Sequence, residues 1–170
     1  MHLETLTLTN FRCFGPDPVT ITLDPSLTVM VGANGSGKSA TFDALARLFG
    51  ITQDERRLRP EDFHVPADEE EAPAARTLSI DVVIAFPELA DDDDDDDDED
   101  DDDEDDDDLV VDTVPEFFRQ MAANDDGELK CRFRLEATWT NDGSVDGTVS
   151  EDARVIHTLV PEYGEDEWTR

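Results

Sequence analysis

The sequence predicts an α/β fold centred on a strand, a glycine-rich phosphate loop and a helix, and three observations predict it. Residues 32 to 39, Gly32-Ala33-Asn34-Gly35-Ser36-Gly37-Lys38-Ser39, fit the pattern G-x-x-x-x-G-K-[ST]. The run before them, Leu27-Thr28-Val29-Met30-Val31, is short and mostly apolar, as a buried strand is. The stretch after them, Ala40 to Phe49, carries Phe42, Leu45, Leu48 and Phe49 at a spacing of three to four, one face of a helix, with Gly50 as its C-terminal cap. Strand signals before and after this unit predict a mixed central sheet with early antiparallel strands.

Taken in order, Leu3 to Thr9 reads as the first strand, and Val19 to Leu23 alternates so that Val19, Ile21 and Leu23 share a face. Gly15-Pro16-Asp17-Pro18 turns the chain between them, which predicts a hairpin. Asp24-Pro25-Ser26 then leads into the strand before the loop. Residues 51 to 75 are polar, charged and proline-containing, a long connection with little regular structure. Leu78, Ile80, Val82, Ile84 and Phe86 alternate with Ser79, Asp81, Val83 and Ala85, a strand with one strongly apolar face that Pro87 ends.

Asp91 to Asp108 is an unbroken run of 18 carboxylates, expected as an extended, disordered insertion because like charges repel and nothing there can be buried. Pro115 to Ala123 is a short helix candidate with Phe117, Phe118 and Met121 on one side. Cys131, Phe133, Leu135, Ala137 and Trp139 alternate with Lys130, Arg132, Arg134, Glu136 and Thr138, the clearest half-exposed strand in the chain. Asn141-Asp142-Gly143 and Asp146-Gly147 mark turns, and Val155 to Val160 reads as a returning strand.

The net charge is −33; without the 18-residue run, 28 acidic residues still face 13 basic ones, a net −15. A surface that grips duplex DNA is basic, so nothing here predicts that this stretch binds DNA alone. Cys13 and Cys131 are too few for a disulfide framework, and His2, His64 and His157 have no metal-ligand spacing. Two reduced thiols and no apolar run of membrane-spanning length point to the cytoplasm and to no membrane partner.

The chemistry of the loop explains its residue types. Gly32, Gly35 and Gly37 permit backbone conformations that turn successive N–H groups inward, where they cradle phosphate oxygens beside a helix N-terminus. Lys38 would place its ammonium against the β- and γ-phosphates of a nucleoside triphosphate, and the Ser39 hydroxyl would complete the shell of a Mg²⁺ ion. Ala33, Asn34, Ser36 and Ala40 complete the stretch that wraps the phosphates.

Asn10-Phe11-Arg12-Cys13-Phe14, followed by an amphipathic strand and then Val31 to Ser39, resembles the opening of the ABC-type ATPase heads of the SMC/RecF group. Phe49-Gly50, Asp62-Phe63-His64 and Phe86-Pro87-Glu88-Leu89 look like the N-terminal ATPase region of OLD-family ATP-dependent endonucleases. The resemblance covers about residues 1 to 140, and the whole chain, residues 1 to 170, reads as a partial P-loop ATPase domain of ABC/RecF type interrupted by the acidic insertion at 91 to 108. It implies ATP and Mg²⁺ as ligands, Arg12 and Asn34 near the phosphates, and head-to-head association as a homodimer or larger assembly. At the family level it implies ATP hydrolysis coupled to DNA cleavage or repair. The acidic pair, signature loop and Toprim nuclease of such enzymes are not recognisable in this sequence, so the resemblance implies the front of a larger enzyme: a gene fragment, a truncated copy, or one half of a split protein whose separate downstream half would be a partner. Two other classes stay open: a nucleotide-binding regulatory module that does not hydrolyse, and a degraded gene remnant. For His64, loop anchoring outweighs a role at the nucleotide.

Overall fold

The computed structural model describes residues 1–87, 123–125, 128–156 and 168–169. Strand β1 (His2–Thr9) and strand β2 (Val19–Thr22) form the expected hairpin, with Leu6 opposite Ile21 and Leu8 opposite Val19. Helix α1 spans Lys38–Phe49, helix α2 spans Gln53–Arg56, and a single 3₁₀ turn covers Pro60–Asp62. Strands β3 (Ala75–Phe86), β4 (Ala123–Asp125), β5 (Glu128–Thr140), β6 (Thr148–Ile156) and β7 (Trp168–Thr169) follow. The sheet order is β2-β1-β3-β5-β6-β7, with β4 beside β5.

Every pairing among the described strands is antiparallel. The parallel component that a mixed sheet requires is not among the described residues. Period-two alternation puts Leu78, Ile80, Val82, Ile84 and Phe86 of β3 opposite Ala137, Leu135, Phe133, Cys131 and Leu129 of β5, so one face is continuously apolar. A bulge between Leu3 and Thr5 shifts β1 by one residue, which returns Leu3 to the face shared by Leu6 and Leu8. Against that face pack Phe11, Ala40, Ala44, Leu58 and Phe63, closing the main core with Leu6, Leu8, Leu78, Ile80, Leu135, Ala137 and Trp139. On the opposite face Asp81 is buried in a charged cluster, accepting from Arg132 at 2.8 and 2.9 Å and from Arg134 at 2.6 Å.

Two sequence expectations are corrected. Leu27 to Val31 is not a buried strand: it is irregular, with Leu27 72%, Val29 70% and Val31 90% exposed. A strand needs backbone partners beside it, and no described strand lies along this run. Its entry is instead held locally, with the Asp24 carboxylate accepting from the N–H groups of Ser26 and Leu27 at 2.8 and 3.0 Å.

The second correction concerns α1. Small residues, Ala40, Thr41 and Ala44, make its fully buried face, with Leu45 and Leu48 packed at the margin of the core. Phe42 and Phe49, seven apart and therefore on one line of the helix, are 60% and 46% exposed. Bulky Phe11, Leu58 and Phe63 already fill the space over the sheet, so the helix approaches through its smallest side chains.

The 51–75 connection holds α2, the 3₁₀ turn, a single bridge at Phe63 and the first residue of β3, near the expectation. The returning strand begins earlier than expected, at Thr148, and the expected residues 157–160 lie outside the described residues. The Asp91 to Asp108 run also lies outside them, as does the Pro115 to Ala123 helix candidate, apart from Ala123 in β4.

Candidate phosphate-binding site

Residues 32 to 37 fold as an irregular loop that runs directly into α1. Gly37 is the N-cap in left-handed backbone, φ 93°, and a Cβ built there would lie 2.9 Å from Phe14 Cζ. The backbone therefore requires glycine, and a side chain there would also have to push the Phe14 ring aside. Gly35 is also left-handed, φ 82°, but its surroundings are open, so only its backbone demands glycine.

No side chain caps α1, and its first turn contains no acidic residue. The N–H groups that an N-terminal turn leaves unpaired are thus available to an anion, in the favourable field of the helix dipole. Lys38 Nζ donates to Gly32 O at 2.8 Å, Ala33 O at 2.7 Å and Ser36 Oγ at 3.2 Å. The ammonium is held over the loop by exposed carbonyls that a phosphate chain can replace. Cys13, Asn34, Gly35, Gly37, Lys38, Ser39 and Ala40 line a cleft of about 240 Å³.

These residues fit a triphosphate: amide donors, one ammonium and one exposed hydroxyl, with no carboxylate among the described residues of the lining. They also fit an accompanying Mg²⁺, to which Ser39 would give one oxygen ligand while the phosphates give others. Among the described residues no group of three or more His, Cys, Asp or Glu forms a separate metal site. A larger cleft of about 690 Å³ lies between residues 54–61 and 146–151. There Asp54, Glu61, Asp146 and Glu151 outnumber Arg57 and Arg59, an unfavourable setting for an anion.

One wall of the phosphate cleft is the turn after β1. Asn10 and Arg12 have φ of 52° and 50°, a conformation that costs a residue such as Arg on the order of 1 kcal/mol and that surrounding bonds must hold. Asn10 N donates to Gly15 O, Phe14 N to Phe11 O, Arg12 N to Asp62 O and His64 N to Asn10 O, each at 2.8 Å. His64 Nδ1 lies 2.6 Å from Arg12 O, and Phe11 and Phe63 form a β-bridge. Asp62-Phe63-His64 therefore clamps the turn, and His64 anchors the loop as expected.

Asp62 is fully buried and is the charge hub of the clamp. It accepts from Arg12 Nε at 2.9 Å, from Arg47 Nε at 2.8 Å and from Arg59 N at 3.0 Å. A buried carboxylate needs such partners, because desolvation without them is prohibitive. Arg12 also pairs with Asp43 on α1. The arginine expected near phosphate is thus held by two carboxylates one residue away from Cys13, which lines the cleft.

The structure gathers Asn34, Gly35, Gly37, Lys38, Ser39 and Ala40 around one cleft; Gly32, Ala33 and Ser36 meet the ammonium of Lys38. Sequence reading missed Asp43 and Asp62 as the partners of Arg12, and Cys13 and Phe14 as the wall against Gly37. The spacing of Ser39, Asp43 and Arg47, four residues apart on one helix face, was the available signal for the first. The thiols differ: Cys13 is exposed, whereas burial pushes the Cys131 thiol up to about 11.

The chain is similar in sequence to several known proteins. The chain is 41% identical over 87 residues to the chromosome partition protein Smc of Mycobacterium tuberculosis, covering 48% of this chain and 7% of that protein. It is 43% identical over 53 residues to the DNA double-strand break repair Rad50 ATPase of Halobacterium salinarum, covering 31% and 6%. It is 46% identical over 48 residues to the DNA replication and repair protein RecF of an Arthrobacter species, covering 28% and 12%. The chain thus spans a small part of these relatives' length. A solved SMC head, from work on ATP-driven dimerization and DNA-stimulated activation of SMC ATPases, superposes with TM-score 0.45 at 20% identity, covering 90% of this chain and 69% of that one. A family profile described as "RecF/RecN/SMC N terminal domain" matches residues 2–120. With the phosphate loop, its uncapped helix and the turn after β1 all inside that stretch, the chain belongs to the RecF/RecN/SMC N-terminal domain family.

Proposed function

We propose that this chain binds ATP with Mg²⁺ through residues 32 to 39 and forms part of an ABC-type ATPase head that works on chromosomal DNA, in partition or repair. The observation that carries the reading is the uncapped, acid-free start of α1 behind a left-handed Gly37, with Lys38 resting on loop carbonyls. In this reading Lys38 neutralises the β- and γ-phosphates, loop N–H groups orient them, Ser39 ligates the metal ion, and Arg12 lies in reserve beside the cleft.

Hydrolysis itself requires carboxylates that orient water, and among the described residues the cleft lining contains none. Completion of the head by a further segment is supported by the exposed apolar side chains of Leu27, Val29, Val31, Phe42, Phe49 and Ile51, which border the loop in sequence on both sides. A homodimer or larger assembly through completed heads, and a cytoplasmic location, accord with the same reading. The finer reading, an OLD-type enzyme that cuts DNA, rests on the resemblance at Phe49-Gly50, Asp62-Phe63-His64 and Phe86 to Leu89, and its test is nicking of plasmid DNA by the completed assembly.

The decisive measurement is calorimetric titration of the folded chain with a non-cleavable ATP analogue and Mg²⁺. Binding is expected, and Lys38→Ala should weaken it by about a hundredfold or more while leaving the thermal transition in place. A cooperative transition without any heat of binding in the unmutated chain overturns the reading.

A further inference from the structure

Ser39, Asp43 and Arg47 follow one another at intervals of four along α1 and so occupy one line of the helix. The first lines the phosphate cleft, the second pairs with Arg12 and the third pairs with Asp62. Arg12 therefore bridges two unlike carboxylates. Asp62 is 0% exposed and locked by Arg47 and the Arg59 N–H, whereas Asp43 is 39% exposed and lies on the water side.

The two ends of the guanidinium divide accordingly. Nε and one terminal nitrogen face Asp62, each at 2.9 Å, while the other terminal nitrogen faces Asp43. Releasing Asp43 leaves the Asp62 contacts intact and frees one charged donor, held against a side chain that lies about one helical turn along α1 from Ser39. We propose that Asp43 is a positioning residue that competes with a bound triphosphate for the Arg12 guanidinium and so sets the preference of the site for triphosphate over diphosphate. This rests on the phosphate-loop reading above. A third phosphate brings the extra negative charge needed to draw Arg12 off a half-exposed carboxylate; a diphosphate brings less.

The test is titration of the 170-residue chain with Mg²⁺ and either ADP or a non-cleavable ATP analogue, in the unmutated form, D43N, R12Q and the double variant. D43N should raise the ratio of triphosphate to diphosphate affinity about three- to tenfold, and R12Q should lower it. In the R12Q background D43N should have no effect on the ratio. That arm separates competition for Arg12 from the mere removal of a negative charge near the cleft. An unchanged or lowered ratio in D43N, or an equal rise without Arg12, overturns the proposal. Asp43→Ser gives the same comparison if D43N shows no cooperative thermal transition. Failure of the folded, unmutated chain to bind either nucleotide overturns the phosphate-loop reading and this one with it, an outcome distinct from binding with an indifferent ratio.

Discussion

In the sheet, each apolar position of β3 from Leu78 to Phe86 meets a partner on β5; the equally apolar run Leu27 to Val31 meets none among the described strands. The two regions have similar sequences and opposite fates. Antiparallel strands find partners through hairpins and neighbouring segments, so β1, β2, β3, β5 and β6 complete one another within the described residues. A strand leading into a phosphate loop sits in a parallel sheet, whose members arrive by crossover connections from more distant sequence. Hydrophobicity therefore states that a segment is to be buried; it does not state what buries it.

The largest effect that would break this contrast is on stability. Leu8→Ala, in the closed core, should cost about 2–5 kcal/mol in chemical denaturation. Val29→Ser, in the open run, should change stability by less than about 0.5 kcal/mol. Equal losses would mean that Val29 is buried after all and that the two regions do not differ.

Chemical reactivity sharpens the comparison at an intermediate scale. Cys13 should be alkylated readily at neutral pH, and Cys131, buried in the sheet with its thiol pushed up to about 11, should resist until the chain unfolds. Because Cys13 lines the phosphate cleft, Mg²⁺ with an ATP analogue should slow its alkylation several-fold. Mass spectrometry of the two cysteine peptides reads both outcomes, and labelling of Cys13 indifferent to nucleotide would remove it from the cleft wall.

The smallest effect is in the β5–β6 turn. The hydroxyls of Ser144 and Thr148 and the Ser144 N–H hold the Asp142 carboxyl down to about 2, from an ordinary value of 3.8. A depressed carboxyl stabilises the folded turn above its unfolded value, and the contribution disappears as pH falls through about 2. Protection of the Ser144 amide, taken relative to the intrinsic exchange rate at each pH, should fall between about pH 4 and 2, and Asp142→Asn should abolish that pH dependence.

Much of the candidate site was legible as local geometry. The glycine, lysine and serine positions from 32 to 39 are dictated by local chemistry, and local chemistry needs no knowledge of distant residues. The β1–β2 hairpin and the alternation of β3 and β5 were legible for the same reason. The role of Arg12 was not: the side chain that meets it from Asp62 is fifty residues away, and nothing in the Pro60 to His64 stretch announces a buried carboxylate. The face of α1 was misread because spacing marks Phe42 and Phe49 as apolar without weighing the room available over the sheet, which Phe11, Leu58 and Phe63 had already filled.

By itself, then, the sequence determined the glycine loop ahead of α1, the hairpins and the alternating faces, since each depends on backbone geometry and periodicity within a few residues. Only the tertiary structure decided which apolar faces close, how Asp62 ties Arg12 to α1, and which of two thiols meets the cleft. Those outcomes depend on volume and charge brought together from separate parts of the chain, and a one-dimensional pattern does not encode which of several compatible partners arrives.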